Sequence, residues 1–308
     1  MFNLKKLLKK FSNISIKQRE FDNIKIQIAK NFFLNLQLNI KNIKNINQVF
    51  YKVFSQNGED GIIQYILHSL RINNPKFVEI GTESYKESNT RYIYETNCCD
   101  GLIIDGYKNL EEEVSQFLSL YKGNLRIFNN MIESDSIIKI LKQFNFDKDL
   151  DIFSIDIDGI DYWVIKQLPI KLSKIFIAEY NPFFGPELEI TVPNIKNFNR
   201  TNYHHSNLCW GASLKAIIKI LESKGYVFIG VNELKNNAFF IIKEYLNLIS
   251  LNPPEKNLSI YTNARYREGR NTNYELTYHN PEDVINIIAN CEVIDLKDNQ
   301  KKKIADCA

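Results

Sequence analysis

The sequence predicts an α/β protein with a doubly wound, mostly parallel, Rossmann-like sheet of seven strands, preceded by an N-terminal helical extension. Between residues 76 and 224, short apolar runs alternate with helical patterns, and several runs end in an acidic residue. Such alternation is typical of parallel βαβ units with right-handed crossovers. Two final apolar runs flank a polar turn at Asn236-Asn237, which indicates an antiparallel pair closing one edge.

Composition places the chain among ordinary globular proteins. It has 308 residues, of which 44% are hydrophobic and 24% charged, and the net charge is +3. That charge gives no argument for nucleic-acid binding. The five cysteines form no C-x-x-C pair, so we expect free thiols in a reducing cytoplasm. No apolar run approaches the ~18 residues of a transmembrane helix, and no signal peptide is expected.

The first 50 residues are predicted to form a basic helical extension. They contain ten Lys or Arg against two Asp or Glu, a charge of +8, which leaves −5 for the rest of the chain. Leucines and lysines at helical spacing in residues 4–11 could lie on an anionic membrane surface at the inner face. The alternative is packing on the body or on another subunit, and we expect a homo-oligomer. The catalytic domain is predicted over residues 51–250 and a C-terminal extension over 251–308.

A polar stretch at residues 54–61 precedes an apolar helical run at 62–67. Ser55 and Asn57 are candidate helix caps. The stretch has more polar groups than a cap needs. The alternative hypothesis is therefore a loop that lays Gln56 and Asp60 across a ligand.

The first two strands end in residues suited to a nucleoside ligand. Residues 77–82 contain Glu79 and Gly81, and a glycine at such a turn lets the backbone approach a ligand closely. The G-x-G-x-x-G spacing of a dinucleotide site is absent. The second strand ends at Asp105, whose carboxylate could accept hydrogen bonds from a ribose diol. The alternative role for Asp105 is a turn before Gly106.

A third strand is predicted over residues 126–130, and the fourth strand leads into a cluster of acids. Asp156, Asp158 and Asp161 follow a fully apolar run, where ligands of parallel sheets bind. The simpler interpretation makes them turn formers or the cap of the next helix. Because successive strand residues face opposite sides, Asp156 and Asp158 can share a site only if the chain turns, and we expect Gly159 to allow this.

The fifth strand, over residues 174–181, ends in Glu179 and Asn181. The irregular segment 182–210 follows, with His204 and His205, and a long loop of this kind is usually functional. An amphipathic helix is predicted over residues 211–224, before the antiparallel pair.

Together these motifs resemble class I S-adenosylmethionine-dependent methyltransferases, and more closely the bacterial FkbM-type relatives encoded with surface-polysaccharide genes. The resemblance covers residues 54–245 and rests on Ser55–Gly61, Val78–Gly81, Ile104–Gly106, Ser154–Gly159 with Asp161–Trp163, Ala178–Pro182 and Gly211–Leu214. It implies S-adenosylmethionine along the carboxyl edge of the sheet. Glu79 and Gly81 would lie beside its methionine part, Asp105 would hold its ribose, Gln56 would cover it, and Asp156 would contact it. Either Asp156 or Asp158 would face its methyl group.

The same resemblance implies a hydroxyl of a sugar or sugar nucleotide of capsular polysaccharide as the methyl acceptor. Some methyltransferases of this fold hold a divalent metal with acids that end strands four and five. The matching residues are Asp156, Asp158, Glu179 and Asn181, and oxygen ligands suit Mg²⁺ or Mn²⁺. In the metal-free alternative a side chain accepts the hydroxyl proton directly, and the candidates are His204, His205, Asp158 and Asp161.

Two other functions are compatible with the pattern. One is a nicotinamide-dependent sugar-nucleotide oxidoreductase, against which the missing glycine fingerprint weighs. The other is a non-catalytic adaptor that keeps the fold and docks through its basic N-terminal helix.

Overall fold

The structure is a computed structural model that describes residues 2–118, 122–264 and 269–307, with side chains from residue 18 onward except 281–282. A seven-stranded sheet forms the centre of the described part. Its strands are β1 (Lys76–Ile80), β2 (Asp100–Ile104), β3 (Asn124–Phe128), β4 (Leu150–Ile155), β5 (Ser173–Glu179), β7 (Tyr226–Val231) and β8 (Asn237–Ile242).

The strand order is β3-β2-β1-β4-β5-β8-β7. Strands β1 to β5 are parallel, while β8 is antiparallel to both of its neighbours, β5 and β7. The chain runs outward from β1 through β2 to β3, then returns to the other side of β1 with β4. The topological switch point therefore lies between β1 and β4, where ligands of doubly wound sheets bind. This confirms the predicted α/β class and the antiparallel pair.

Each face of the sheet carries its own apolar core because alternate strand residues point to opposite sides. Val78, Ile80 and Phe153 belong to one core, and Phe77 and Ile152 to the other. The covering helices are α2 (Glu59–Ser69), α3 (Arg91–Thr96), α4 (Leu110–Phe117), α5 (Ile137–Phe144), α6 (Asp161–Gln167) and α8 (Leu214–Ser223).

A second, three-stranded sheet in the order β10-β9-β6 lies outside the main sheet. Its strands are β6 (Ile190–Thr191), β9 (Glu292–Asp295) and β10 (Gln300–Lys303), and three short helices flank it: α7 (Arg200–Tyr203), α9 (Ser259–Thr262) and α10 (Pro281–Ile287). Segment 182–210, which the sequence predicted as an irregular loop, thus supplies a strand to this sheet and residues to a third apolar core. The C-terminal residues pack against that segment.

Helix α1 (Phe2–Gln37) packs one face of its described part on the body. Asp22, Ile26, Ala29 and Phe33 are buried, whereas Phe21, Ile24, Ile28 and Phe32 are exposed. The pattern of residues 4–11 that suggested membrane contact lies outside the residues whose side chains are described. Among the described residues, no helix combines the length and apolarity needed to cross a bilayer. All five cysteines are free thiols.

A buried ion pair attaches α1 to the body. The Arg91 Nη2 donates to Asp22 Oδ2 at 2.7 Å, and both side chains are more than nine-tenths buried. Removing one partner of such a pair leaves the other charge buried and uncompensated, which costs about 3–5 kcal/mol.

We therefore expect Arg91→Ala to lower the free energy of unfolding by about 3 kcal/mol or more. Urea unfolding followed by circular dichroism measures this as a lower midpoint. Lys30→Ala, at an exposed position of α1, is the control and should leave the midpoint unchanged. Equal midpoints for the two variants would contradict the anchoring role of Arg91.

Candidate functional site

The strand register brings four of the sequence-predicted residues into one row. Ile80 of β1 is paired with Ile104 of β2 and with Ile155 of β4, which in turn pairs with Ala178 of β5. The next residue on each strand, or the first beyond it, continues the row along the carboxyl edge of the sheet. These residues are Gly81, Asp105, Asp156 and Glu179.

A cavity of about 330 Å³ opens over this row at the switch point. Its wall includes all four residues of the row together with Gln56 and Asp158. A volume of this size is at the lower end of the range for small-molecule sites. The sequence thus identified the edge of the sheet and six of the residues that line this cavity.

Gly81 is required where β1 meets β4. Its φ is +83°, and a Cβ built on it would lie 1.5 Å from the carbonyl oxygen of Asp156. No side chain fits in that space. The absence of a Cβ keeps the floor of the cavity open and allows the two strand ends to approach each other.

Asp105 organises the loop that follows Gly81. Its Oδ2 accepts backbone N–H groups of Thr82 at 2.6 Å and Glu83 at 2.7 Å, and its Oδ1 accepts that of Tyr107 at 2.6 Å. A carboxylate offers about four acceptor positions. Three are therefore used within the protein and about one is left for a ligand hydroxyl.

Glu79 has a different place from the one predicted. It is buried and is not among the described residues that line the cavity. Its carboxylate accepts hydrogen bonds from the Ser88 hydroxyl, the Asn89 backbone, and the Thr90 backbone and hydroxyl. The structure therefore places Glu79 as the anchor of the loop before α3 rather than at the cavity.

The polar stretch before α2 is held by Asp60. Its Oδ2 accepts the backbone N–H groups of Val53, Phe54 and Ser55 at 2.7–2.8 Å and the Ser55 hydroxyl at 2.8 Å. Asp60 itself does not line the cavity among the described residues, but the loop it fixes carries Gln56 to the cavity wall. Asp60 is thus a positioning residue for Gln56.

The acids after β4 share the cavity because the chain turns at Asp158, not at Gly159 as the sequence suggested. Strand β4 ends at Ile155, and Asp158 has a φ of +52°. Asp161 stabilises the turn, since its carboxylate accepts the backbone N–H groups of Ile157 and Gly159, each at 3.0 Å. Asp161 is accordingly a buried turn former, as the simpler interpretation held, while Asp156 and Asp158 face the cavity.

Asp156, Asp158 and Glu179 form an acidic triad whose carboxylate oxygens lie within 4.8 Å of one another. Glu179 is 6% exposed, and its buried Oε2 has no hydrogen-bond partner among the described residues. Burial raises the pKa of Asp156 well above its usual range, and the charge of Asp158 raises it further. Burial likewise raises the pKa of Glu179, followed by the charges of Asp156 and Asp158. Such a group is electrostatically suited to receive a cation or hydroxyl donors.

Two polar residues of the cavity wall, among others, were not predicted as site residues. Arg200, on α7, donates from Nη1 to Asp158 Oδ1 at 2.7 Å and brings a positive charge to the triad. Asn236, in the turn between β7 and β8, also lines the cavity and accepts a hydrogen bond from Asn232. Neither follows a parallel strand of the sheet, so no local pattern pointed to them.

Three further predicted residues are not brought to the cavity. His204 and His205 do not line it among the described residues, and His204 Nδ1 lies 2.7 Å from the Ser206 hydroxyl. Asn181 is fully buried, and its amide donates to the carbonyl oxygens of Leu208 and Trp210. Asn181 thus fastens segment 182–210 to the sheet, and its Oδ1 accepts the Phe183 backbone N–H.

Comparisons with known proteins yield no family assignment. No protein-family model matches the chain, and no curated protein matches it. One similar solved structure is the complex of the Haloferax volcanii Trm112 methyltransferase activator with a methyltransferase. It has 13% identity and a TM-score of 0.31, covering 55% of this chain and 72% of that one. Another is human N-acetylserotonin methyltransferase with S-adenosylmethionine, with 10% identity and a TM-score of 0.31, covering 59% of this chain and 55% of that one. Similarity at this level establishes neither family nor function.

Proposed function

We propose that the protein is an S-adenosylmethionine-dependent O-methyltransferase that acts on a hydroxyl of a sugar or sugar nucleotide used for surface polysaccharide. The observation that carries this proposal is the row Gly81, Asp105, Asp156 and Glu179 around one cavity at the switch point. In this row, Gly81 lets the backbone approach a ligand closely, and Asp105 offers a carboxylate that could accept a ribose hydroxyl. Asp156 and Glu179 add two acids. The resemblance of the motifs at residues 54–245 adds support.

The cofactor would occupy the β1–β2 side of the cavity. Gly81 would leave room for its amino-acid part, and Asp105 would accept a ribose hydroxyl at its remaining acceptor position. The second hydroxyl of a ribose diol needs another acceptor, so binding would release one of the Thr82 and Glu83 amides from Asp105. Glu83 has a φ of +44°, a strained backbone conformation for a residue other than glycine. Because the loop already carries this strain, a ligand could change its conformation at a small cost in free energy.

A divalent cation fits the acidic triad. Three carboxylates, each with one oxygen within 4.8 Å of the others, offer the hard oxygen ligands that Mg²⁺ or Mn²⁺ prefers. Glu179 also has a buried Oε2 without a hydrogen-bond partner among the described residues. When bound, such an ion would supply a Lewis acid that lowers the pKa of an acceptor hydroxyl. Asp156, Asp158 and Glu179 would hold it.

The protein's own contribution to methyl transfer is positioning and proton acceptance. The sulfonium donor supplies an already activated methyl group. Asp158 is exposed to the cavity and would accept the proton of the sugar hydroxyl as its oxygen takes the methyl group. Arg200, which donates to Asp158 Oδ1 at 2.7 Å, would orient that carboxylate toward the hydroxyl.

A transfer assay with S-adenosylmethionine and a panel of nucleotide-activated sugars tests the function. We expect at least one sugar to gain one methyl group, detected by mass spectrometry of the product. If no sugar gains a methyl group although the protein binds the cofactor, the proposed acceptor class is contradicted, whereas the proposed binding of the cofactor is not.

Removal of divalent metal should abolish the transfer. We expect chelation with EDTA to stop the reaction and Mg²⁺ or Mn²⁺ to restore it, because the triad would then lack the charge that compensates it. The control is a fluorescence measurement showing that the chelated protein stays folded. Full activity in EDTA would contradict the metal and favour Asp158 as an unassisted base.

A further inference from the structure

A second pocket, of about 320 Å³, lies between α1 and the body. Its wall includes four cationic side chains, Lys25, Lys52, Lys86 and Arg91, and two carboxylates, Asp22 and Glu87. The lining charge is therefore +2. We call this the basic pocket.

Arg91 is a buried cation in the wall of the basic pocket. It is 4% exposed, and its guanidinium carbon lies 3.8 Å from the centre of the Phe54 ring and 4.5 Å from that of Phe117. Its Nη groups donate to Asp22 and to the Lys86 carbonyl oxygen, and Nη2 also lies 3.9 Å from Glu95 Oε1. Its buried Nε has no acceptor among the described residues. A buried donor without a partner is costly, so this one favours an acceptor brought by a ligand.

Lys25 adds a cation that the pocket does not neutralise. Lys52 and Lys86 are paired with Glu87 and Glu113, whereas no carboxylate of the described residues lies within ion-pair distance of Lys25. Its Nζ lies 4.6 Å from the centre of the Phe54 ring, the same ring that Arg91 covers. Partial burial lowers the pKa of Lys25, and the nearby charge of Asp22 opposes this effect without cancelling it.

The basic pocket adjoins the cavity at the switch point. Glu87 lines both, and the loop that supplies Lys52 and Phe54 to the pocket supplies Gln56 to the cavity. A ligand with an anionic part and a sugar could therefore reach from one to the other.

We propose that the basic pocket binds an oxyanion of the phosphate class, and that this is the diphosphate group of a nucleotide-activated sugar whose sugar lies in the cavity. The assignment to the acceptor rests on the proposed function, while the binding of the anion does not. Ammonium and guanidinium groups are the usual partners of phosphate oxygens, and Lys25, Lys52 and Arg91 supply both.

Calorimetric titration with inorganic pyrophosphate tests the pocket. We expect the wild-type protein to bind it and Lys25→Ala to bind about tenfold more weakly, as for loss of one charged hydrogen bond. Lys30→Ala, which removes the same charge from an exposed position of the same helix, should bind like the wild type. No binding, or equal weakening in the two variants, would overturn the site.

A second arm distinguishes a free diphosphate from a lipid headgroup. Vesicles of phosphatidylcholine and phosphatidylglycerol are sedimented with each variant. Dependence of sedimentation on Lys25, without any binding of pyrophosphate, would overturn the assignment to a soluble acceptor. Titration of Lys25→Ala with S-adenosylmethionine should match the wild type, so loss of cofactor binding and loss of pyrophosphate binding are separate results.

Discussion

Glu179→Gln is expected to give a protein that is at least as stable as the wild type but nearly inactive. The substitution keeps the size of the side chain and removes a buried carboxyl whose ionised form is disfavoured by burial and by the charges of Asp156 and Asp158. It also gives Asp156 an amide donor in place of a second carboxyl. Removing an unfavourable functional charge commonly stabilises a fold at the expense of activity.

The loss of activity follows from the role of the triad. If Glu179 holds a cation or a hydroxyl during methyl transfer, its loss should lower kcat by roughly 10²–10⁴-fold, the range for a group that assists proton transfer. Binding of S-adenosylmethionine should change little, because Glu179 lies on the acceptor side of the cavity. Parallel measurements of kcat, cofactor affinity and the urea midpoint check all three expectations.

The matched control is Glu187→Gln. Glu187 lies a few positions later in the chain, but its side chain is 84% exposed and pairs with Lys215 at the surface. It should show neither the activity loss nor the gain in stability. A Glu179→Gln enzyme with normal kcat would contradict the proposed role of the triad.

Gly81→Ala should be the most destabilising single substitution at the site. The new Cβ would lie 1.5 Å from the Asp156 carbonyl oxygen and 2.5 Å from its carbon, and both belong to backbone that cannot rotate away. Strands β1 and β4 would have to separate at the switch point. Backbone strain of ~1–3 kcal/mol and overpacking of ~1–3 kcal/mol together predict a loss of about 4 kcal/mol.

Gly185→Ala separates the two contributions. Gly185 also has a left-handed φ, +73°, but nothing lies within 4 Å of a Cβ built there. Gly185→Ala should therefore lower the free energy of unfolding only by the backbone strain, about 1–3 kcal/mol. If both variants unfold at the same denaturant concentration, the close contact between Gly81 and Asp156 does not govern stability. Gly81→Ala protein that does fold should also fail to bind the cofactor.

The row of residues at the sheet edge was predictable because its signals are local. An apolar run that ends in Asp105, Asp156 or Glu179 marks both a strand and the residue beyond its carboxyl end, and the parallel register then aligns these ends. Gly81 follows β1 in the same way, whereas Gln56 lies in the loop before α2, and both line the cavity. Their roles toward a cofactor stay predictions.

Some residues lie elsewhere than the sequence predicted, or reach the cavity without having been predicted. Contacts between residues that are distant in sequence determine their positions. His204 and His205 were candidates because segment 182–210 was predicted to be an irregular loop. In the structure, β6 of this segment pairs with β9, about 100 residues later in the chain. The Asn181 side chain also donates a hydrogen bond to the Leu208 carbonyl oxygen of the segment. Glu79 follows the strand alternation to a buried side, where the Ser88–Thr90 loop closes on it. Arg200 reaches Asp158 across 42 positions of the chain. No short pattern contains this information.

Calorimetric titration of the folded wild-type protein with S-adenosylmethionine tests the central claim most directly. The account predicts saturable binding at one site per chain, with no binding of NADH under the same conditions. It also predicts that Asp105→Ala weakens the binding, because the ribose would lose its acceptor. Absence of binding in protein shown to be folded by circular dichroism, or binding of NADH instead, would contradict the claim.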